Sequence, residues 1–306
     1  MLKRVSLATM FLLLVSVILS ATEADARKRR EKIIPAPTKT SLVVDGKSGR
    51  ILHSRNARKK IYPASLVKVM TVYLIFESLE SGRLKLNQKL YVSKYATKAR
   101  PLKLYLKPGR KISVRDAVLG LIVKSANDAA RVVAENIAGS ERKFARLMTI
   151  RARQLGMKDT TFTNASGWHD PKQVTTAVDL AKLSIAIKRD FPKYYRAFFS
   201  KTSFRFEGKR IKGHNKLTAT YPGAEGLKTG FHTPAGCNLI TTATRGNKSL
   251  VGIVTGRKNG TIRNRKMVQL LDKHFGVKHN TIKRKGGIKT RKMKLADRKK
   301  RKSRRK

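Results

Sequence analysis

Between Ser41 and Phe275 the spacing of the apolar residues runs from strand-like to helical and back to strand-like, and that order leaves few architectures open. Ser41-Leu-Val-Val44 and Ile51-Leu52 flank Asp45-Gly-Lys-Ser-Gly49, which predicts a β-hairpin with a glycine-containing turn. After Pro63, the residues Leu66, Val69, Met70, Tyr73 and Leu74 recur at the spacing of one buried helical face, so a helix should start near Ser65 and close at Gly82. Segments 114–123, 128–137, 142–155 and 176–187 carry the same period, punctuated by Gly139, Gly156 and the stretch 164–171. From Thr202 the pattern changes. A hairpin is expected around Gly208, then strands over 226–229, 238–244 and 250–255, and a closing helix over 263–275. A sheet built from both ends of the chain, with a largely helical insertion between them, satisfies this order; no internal repeat competes with it. The expected class is α/β (α+β), an antiparallel sheet flanked by helices.

The two ends differ from this middle. Lys3 and Arg4 precede a nearly uncharged apolar run from Val5 to Leu19, and Ala24-Asp25-Ala26 offers small residues where a signal peptidase reads. Residues 1–26 are therefore expected to be a secretory signal rather than a retained anchor, because about fifteen apolar residues fall short of a bilayer core of about 30 Å. Residues 27–39 form a basic, proline-bearing lead-in, 40–276 the folded domain, and 277–306 a basic tail. Residues 282–306 hold fifteen Lys or Arg and one acid, too little apolar surface to offset ordering entropy, so disorder is expected there.

The chain has 71 Lys and Arg against 18 Asp and Glu, a net charge of +53. This favours anionic partners without choosing among them. Export argues against nucleic acid and points to the periplasm or cell envelope, with the tail in electrostatic contact with anionic membrane or wall polymer. Cys237 is the single cysteine, so no internal disulfide is expected, and it reads as a small apolar strand residue. The histidines at 53, 169, 214, 232, 274 and 279 show no metal-ligand spacing, so neither metal nor other cofactor is expected. His214 reads as a residue shaping a cleft upstream of Lys228, and Trp168 as a packed loop residue.

Three short motifs follow one another: Ser65-Leu-Val-Lys68, Ser125-Ala-Asn127 and Lys228-Thr229-Gly230. Each alone has an ordinary reading: Ser65 as a helix N-cap before a solvated lysine, Ser125 and Asn127 as caps of the helix near Asp128, Lys228 as a turn lysine. Their order and setting support a chemical one. Ser65 and Lys68 share one face of a helical turn, and a serine hydroxyl needs a neighbouring base to become a nucleophile. Lys68 can be that base if the helix N-terminus and a nearby cation such as Lys228 lower its pKa. Ser125 would pass the proton to a leaving group and Asn127 would bind a substrate amide. Lys228 would give a fixed charge for a terminal carboxylate, Thr229 a hydroxyl donor, and the N–H groups of Ser65 and Phe231 an oxyanion hole.

With Pro63-Ala64-Ser65-Leu66, Ser125-Ala-Asn-Asp-Ala129, Thr161-Phe-Thr-Asn164 with Gly167, Thr176-Ala-Val-Asp179-Leu-Ala181 and Gly226-Leu-Lys-Thr-Gly230, the chain resembles the low-molecular-mass penicillin-binding proteins from about Leu42 to Phe275. These are serine D-Ala–D-Ala carboxypeptidases related to class A β-lactamases. The resemblance implies the β-lactamase/D,D-peptidase-like fold and acylation of Ser65, with Lys68 as its base. It assigns the rest of the site to Ser125, Asn127, Lys228 and Thr229, with Gly230 permitting close approach. The implied partners are a peptidoglycan stem peptide ending in D-Ala–D-Ala and β-lactam inhibitors. One departure is Phe231, where related enzymes often carry histidine; His232 stands one place further on. Two alternatives stay open, a class A-like β-lactamase and a non-catalytic cationic envelope-binding protein. The first lacks a glutamate between residues 155 and 180 to activate a deacylating water.

Overall fold

The computed structural model describes residues 37–277. The expected signal segment, most of the lead-in and nearly all of the basic tail lie outside the described residues.

Strands β1 (Ser41–Asp45) and β2 (Ile51–Arg55) form the expected first hairpin, whose turn is held by Asp45 Oδ1 accepting from the Lys47 and Ser48 backbone N–H groups. Two small two-stranded sheets follow far apart in the chain, β3 (Lys89–Tyr91) with β4 (Lys111–Ser113) and β5 (Ser203–Phe206) with β6 (Lys209–Lys212). Strands β7 (Ala224–His232), β8 (Gly236–Arg245) and β9 (Lys248–Arg257) then join the first hairpin in one antiparallel sheet of order β2-β1-β9-β8-β7. The two ends of the chain thus meet where β1 pairs with β9, as the order of periods requires. β7 lies at an edge.

The long helices are α1 (Lys68–Glu80), α2 (Asn127–Ala138), α3 (Glu141–Gln154), α4 (Ala177–Asp190) and α5 (Gly260–Phe275). Ser140 and Thr176 cap α3 and α4 through their hydroxyls, and Gly139 ends α2 in the left-handed region at φ 73°. α1 departs from expectation. It is buried all round except at Glu77 and Glu80, because the helical insertion encloses it against the sheet. Phe76 on α1 meets Phe191, Tyr194, Phe198 and Phe199, aromatic residues in and around a short helix at Pro192–Phe198 that the spacing did not reveal.

The opposite face of the sheet is covered by α5, whose Met267, Leu270 and Leu271 pack on Val43, Leu239 and Val254. Each such side chain contributes about 2 kcal/mol of burial. Cys237 is buried at the head of β8, as expected of a small strand residue. No helix among the described residues is long and apolar enough to cross a membrane.

Candidate active site

The turn before α1 sets the first residues of the site. A 3-10 turn over Ala64–Val67 leads into α1, with Ala64 at φ 50° and no side-chain cap. Ser65 is therefore not an N-cap, and its hydroxyl stays available. Lys68, fully buried, donates from Nζ to Ser65 Oγ at 3.1 Å, to Asn127 Oδ1 at 2.7 Å and to the Ser166 carbonyl. Burial pushes its pKa well below the ordinary lysine value, and the charge of Lys228 pushes it further. Glu141 and Asp128 oppose that shift. Desolvation leads here, where the sequence suggested the helix terminus and a neighbouring cation.

The second motif sits on an irregular junction. The helix Val114–Leu119 passes into a π-helical turn, Gly120–Lys124, which ends on Ser125 in the left-handed region at φ 64°, ψ 36°. A non-glycine residue held there costs about 1–3 kcal/mol, a strain that concentrates at functional sites. The N-cap of α2 is Ala126, without a side-chain cap, so neither Ser125 nor Asn127 caps α2. Asn127 turns inward instead. Its Oδ1 faces Lys68, and its Nδ2 donates to the Arg100 and Pro101 carbonyls at 3.0 and 2.9 Å.

The third motif lies on the edge strand β7. Lys228, 3% exposed, donates to Ser125 Oγ at 2.9 Å and to the Thr229 carbonyl at 3.0 Å. Burial first, and then Arg263, push its pKa down to about 7. That shift works against the fixed positive charge expected of Lys228. Gly230 brings the strand onto the serine turn, since a Cβ there would lie 2.9 Å from the Pro63 carbonyl and 3.2 Å from the Ser65 nitrogen. Gly167 is more constrained still. It sits at φ 80°, and a Cβ would come within 2.0 Å of the Ala64 carbonyl oxygen.

Ser65, Ser125, Asn127, Thr229, Gly230 and Phe231 line one open cleft of about 540 Å³, with Lys68 and Lys228 beneath it bonded to the two serines. All eight expected site residues are thus brought together, with Phe231 presenting a largely exposed ring. His214 and His232 also line the cleft. His232 Nδ1 accepts from the Ala235 N–H, and burial followed by His169 pushes its pKa down to about 4. Trp168 lines the cleft at 46% exposed, which corrects its reading as a packed loop residue. The described residues hold no cluster of three or more His, Cys, Asp or Glu suited to a metal ion.

Two participants were not singled out from the sequence. Arg263, buried at 8% exposure, reaches the cleft from α5 and anchors on Asn264 and the Asn238 carbonyl. In a chain this rich in arginine no local signal marks it. Glu141 at the start of α3 accepts from the Ala165 N–H at 3.1 Å and the Tyr95 hydroxyl at 2.6 Å and pairs with Arg131 at 3.2 Å. It thereby holds the segment whose next carbonyl, that of Ser166, receives Lys68.

The sequence profile of D-alanyl-D-alanine carboxypeptidases, peptidase family S11, matches residues 27–259. The chain belongs to this family. The D-alanyl-D-alanine carboxypeptidase DacC of Escherichia coli K12 is 36% identical to this family member over 251 residues, 79% of this chain and 62% of the relative. Penicillin-binding protein 5 of Haemophilus influenzae superposes with a TM-score of 0.75 at 32% identity, covering 79% of this chain and 72% of that one. Penicillin-binding protein D2 of Listeria monocytogenes, solved in an ampicillin-bound form, gives 0.68 at 31% identity, covering 77% and 96%. The fold of this S11 member is therefore that of the D,D-peptidases. It spans a little under two thirds of the length of the curated relatives it first matches.

Proposed function

We propose that this chain is a serine D-Ala–D-Ala carboxypeptidase of peptidoglycan stem peptides, acylated on Ser65 and susceptible to β-lactams. The observation that carries the reading is the pair of buried lysine–serine contacts, Lys68 to Ser65 and Lys228 to Ser125, opening into one cleft. Lys68 in its neutral form takes the Ser65 proton as Oγ attacks the carbonyl of the penultimate D-Ala. The proton then passes by way of the Ser125 hydroxyl to the departing amine. The C–N bond breaks, terminal D-Ala leaves, and water later hydrolyses the ester on Ser65. Asn127 Oδ1, which also accepts from Lys68, receives the donor amide N–H, Thr229 and charged Lys228 receive the terminal carboxylate, and Arg263 adds a second cation on that side of the cleft. The Ser65 and Phe231 N–H groups serve as oxyanion donors.

The cleft lining contains no Asp or Glu among the described residues. Asp179 is buried and accepts from the Asp159 N–H and the Thr160 hydroxyl. This disfavours fast deacylation by a carboxylate-activated water, and a persistent penicilloyl-enzyme follows. Release of D-alanine from a pentapeptide ending in D-Ala–D-Ala tests the reading; wall binding without release would favour a non-catalytic envelope protein instead.

The apolar run over residues 5–19 supports export to the periplasm or envelope, with residues 1–26 removed and 40–276 as the catalytic domain. The basic segment 282–306 supports peripheral attachment to anionic membrane or wall polymer. Intact-mass measurement tests the first, and salt-insensitive envelope association after deletion of 282–306 would contradict the second.

A further inference from the structure

We propose that Arg100 and Trp168 form a specificity clamp at the cleft mouth for donor peptides carrying a free carboxylate on the residue preceding D-Ala–D-Ala. The proposal rests on the carboxypeptidase reading and adds the class of donor to it.

The two residues come from different loops, Trp168 lining the cleft and Arg100 preceding the lining residue Pro101, with the Arg100 guanidinium carbon 5.8 Å from the centroid of the Trp168 ring. Both are solvent-exposed. Neither hangs on a loose loop. The Arg100 carbonyl receives Asn127 Nδ2, and Asp128 accepts from the Leu104 and Leu106 N–H groups at 3.0 and 3.2 Å, so the 100–106 segment is pinned to the start of α2. The Trp168 carbonyl receives Asn164 Nδ2 and Gln173 Nε2, each at 3.0 Å, just beyond the Ser166 carbonyl that binds Lys68. The clamp is therefore fastened on both sides to groups that hold the lysine–serine–asparagine cluster.

Its charge selects its ligand. From residue 81 to residue 115 the chain has eleven Lys or Arg and no Asp or Glu. Thr229 and Arg263, which face the leaving carboxylate, come from the sheet and α5, whereas Pro101, Leu102 and Trp168 line the cleft from the helical insertion. A donor side chain crossing that second rim meets the Trp168 ring and the exposed Arg100 guanidinium, in a segment with no acid of its own. A carboxylate is attracted there, a neutral amide is tolerated, and an ammonium is repelled.

The test uses the wild type, Arg100→Gln and Trp168→Ala with three peptides of equal length ending in X-D-Ala–D-Ala. The side chain of X ends in a carboxylate, an acetylated amine or a free amine. D-alanine release and the benzylpenicillin acylation rate are measured at two salt concentrations. The wild type is expected to favour the carboxylate peptide over the free amine by about tenfold in kcat/KM, mainly through KM, with the spread shrinking at high salt. Arg100→Gln should compress the spread to about twofold while leaving penicillin acylation within about twofold of wild type, and Trp168→Ala should lower all three peptides through KM. Equal turnover of all three peptides by the wild type would overturn the clamp while leaving the carboxypeptidase reading intact. So would an Arg100→Gln loss uniform across peptides and penicillin, the mark of a structural role. No release from any peptide would remove the reading and the clamp together.

Discussion

Lys68 and Lys228 enter one cleft from different parts of the fold, the first at the head of α1 and the second on the edge strand β7, and each donates to a different serine hydroxyl. Both are buried, and each is pushed toward its neutral form first by burial. The proposed reaction needs them in opposite states, Lys68 neutral as a base and Lys228 charged beneath a carboxylate.

This sets the pH dependence of acylation. The free-enzyme rate with benzylpenicillin should rise on the acid side as Lys68 loses its proton and fall on the alkaline side, near or above pH 7, as Lys228 loses its own. Arg at 228 keeps its charge at any accessible pH, so Lys228→Arg should abolish the alkaline limb while leaving the acid limb in place. Stopped-flow acylation between pH 5 and pH 10 reads both limbs; an unmoved alkaline limb would assign it to another group.

The same burial has a stability consequence whose sign is fixed. Between the lowered folded-state value of about 7 for Lys228 and its unfolded value near 10, the unfolded chain holds more protons. Stability therefore rises with pH across that window, by at most about 1.4 kcal/mol per pH unit for one proton. Lys228→Met should be more stable than wild type at pH 7, with the gap narrowing in urea titrations as the pH rises toward 10, because a buried ammonium is replaced by an apolar chain.

Glu141 should act on Lys68 through structure and charge together. It holds Ala165, and its charge opposes the lowering of the Lys68 pKa. Glu141→Gln should cut acylation by about tenfold to a hundredfold and move the acid limb to lower pH. A rate loss with an unmoved limb would restrict Glu141 to holding the loop.

Gly167 and Gly82 make a matched pair. Both have positive φ, but a Cβ at Gly82 meets nothing within 4 Å, while at Gly167 it strikes the Ala64 carbonyl. Gly82→Ala should cost about 1 kcal/mol and keep full acylation. Gly167→Ala should cost about 3 kcal/mol or more and displace the serine turn, so that acylation falls with stability.

The main strands and long helices were legible because their apolar periods are long and end on glycine, as at Gly82 and Gly139. The short helix at Pro192–Phe198 was not, since its aromatics serve a contact with Phe76 that exists only after folding. Ser65, Ser125 and Lys228 were legible as motifs, yet each motif also carried a capping or surface reading that only the 3-10 turn, the left-handed Ser125 and the buried Lys228 set aside. Arg263 and Glu141 stayed hidden because their roles depend on tertiary neighbours. The depth of Lys68 and Lys228, and with it the leading cause of their lowered pKa values, is likewise a property of packing rather than of spacing.

The central claim is tested most directly by peptide mapping of the covalent adduct formed with benzylpenicillin. A single penicilloyl group on the peptide containing Ser65, absent from Ser65→Ala and greatly slowed in Lys68→Ala, is the predicted result. An adduct on another residue, or equal labelling of Ser65→Ala, would contradict it.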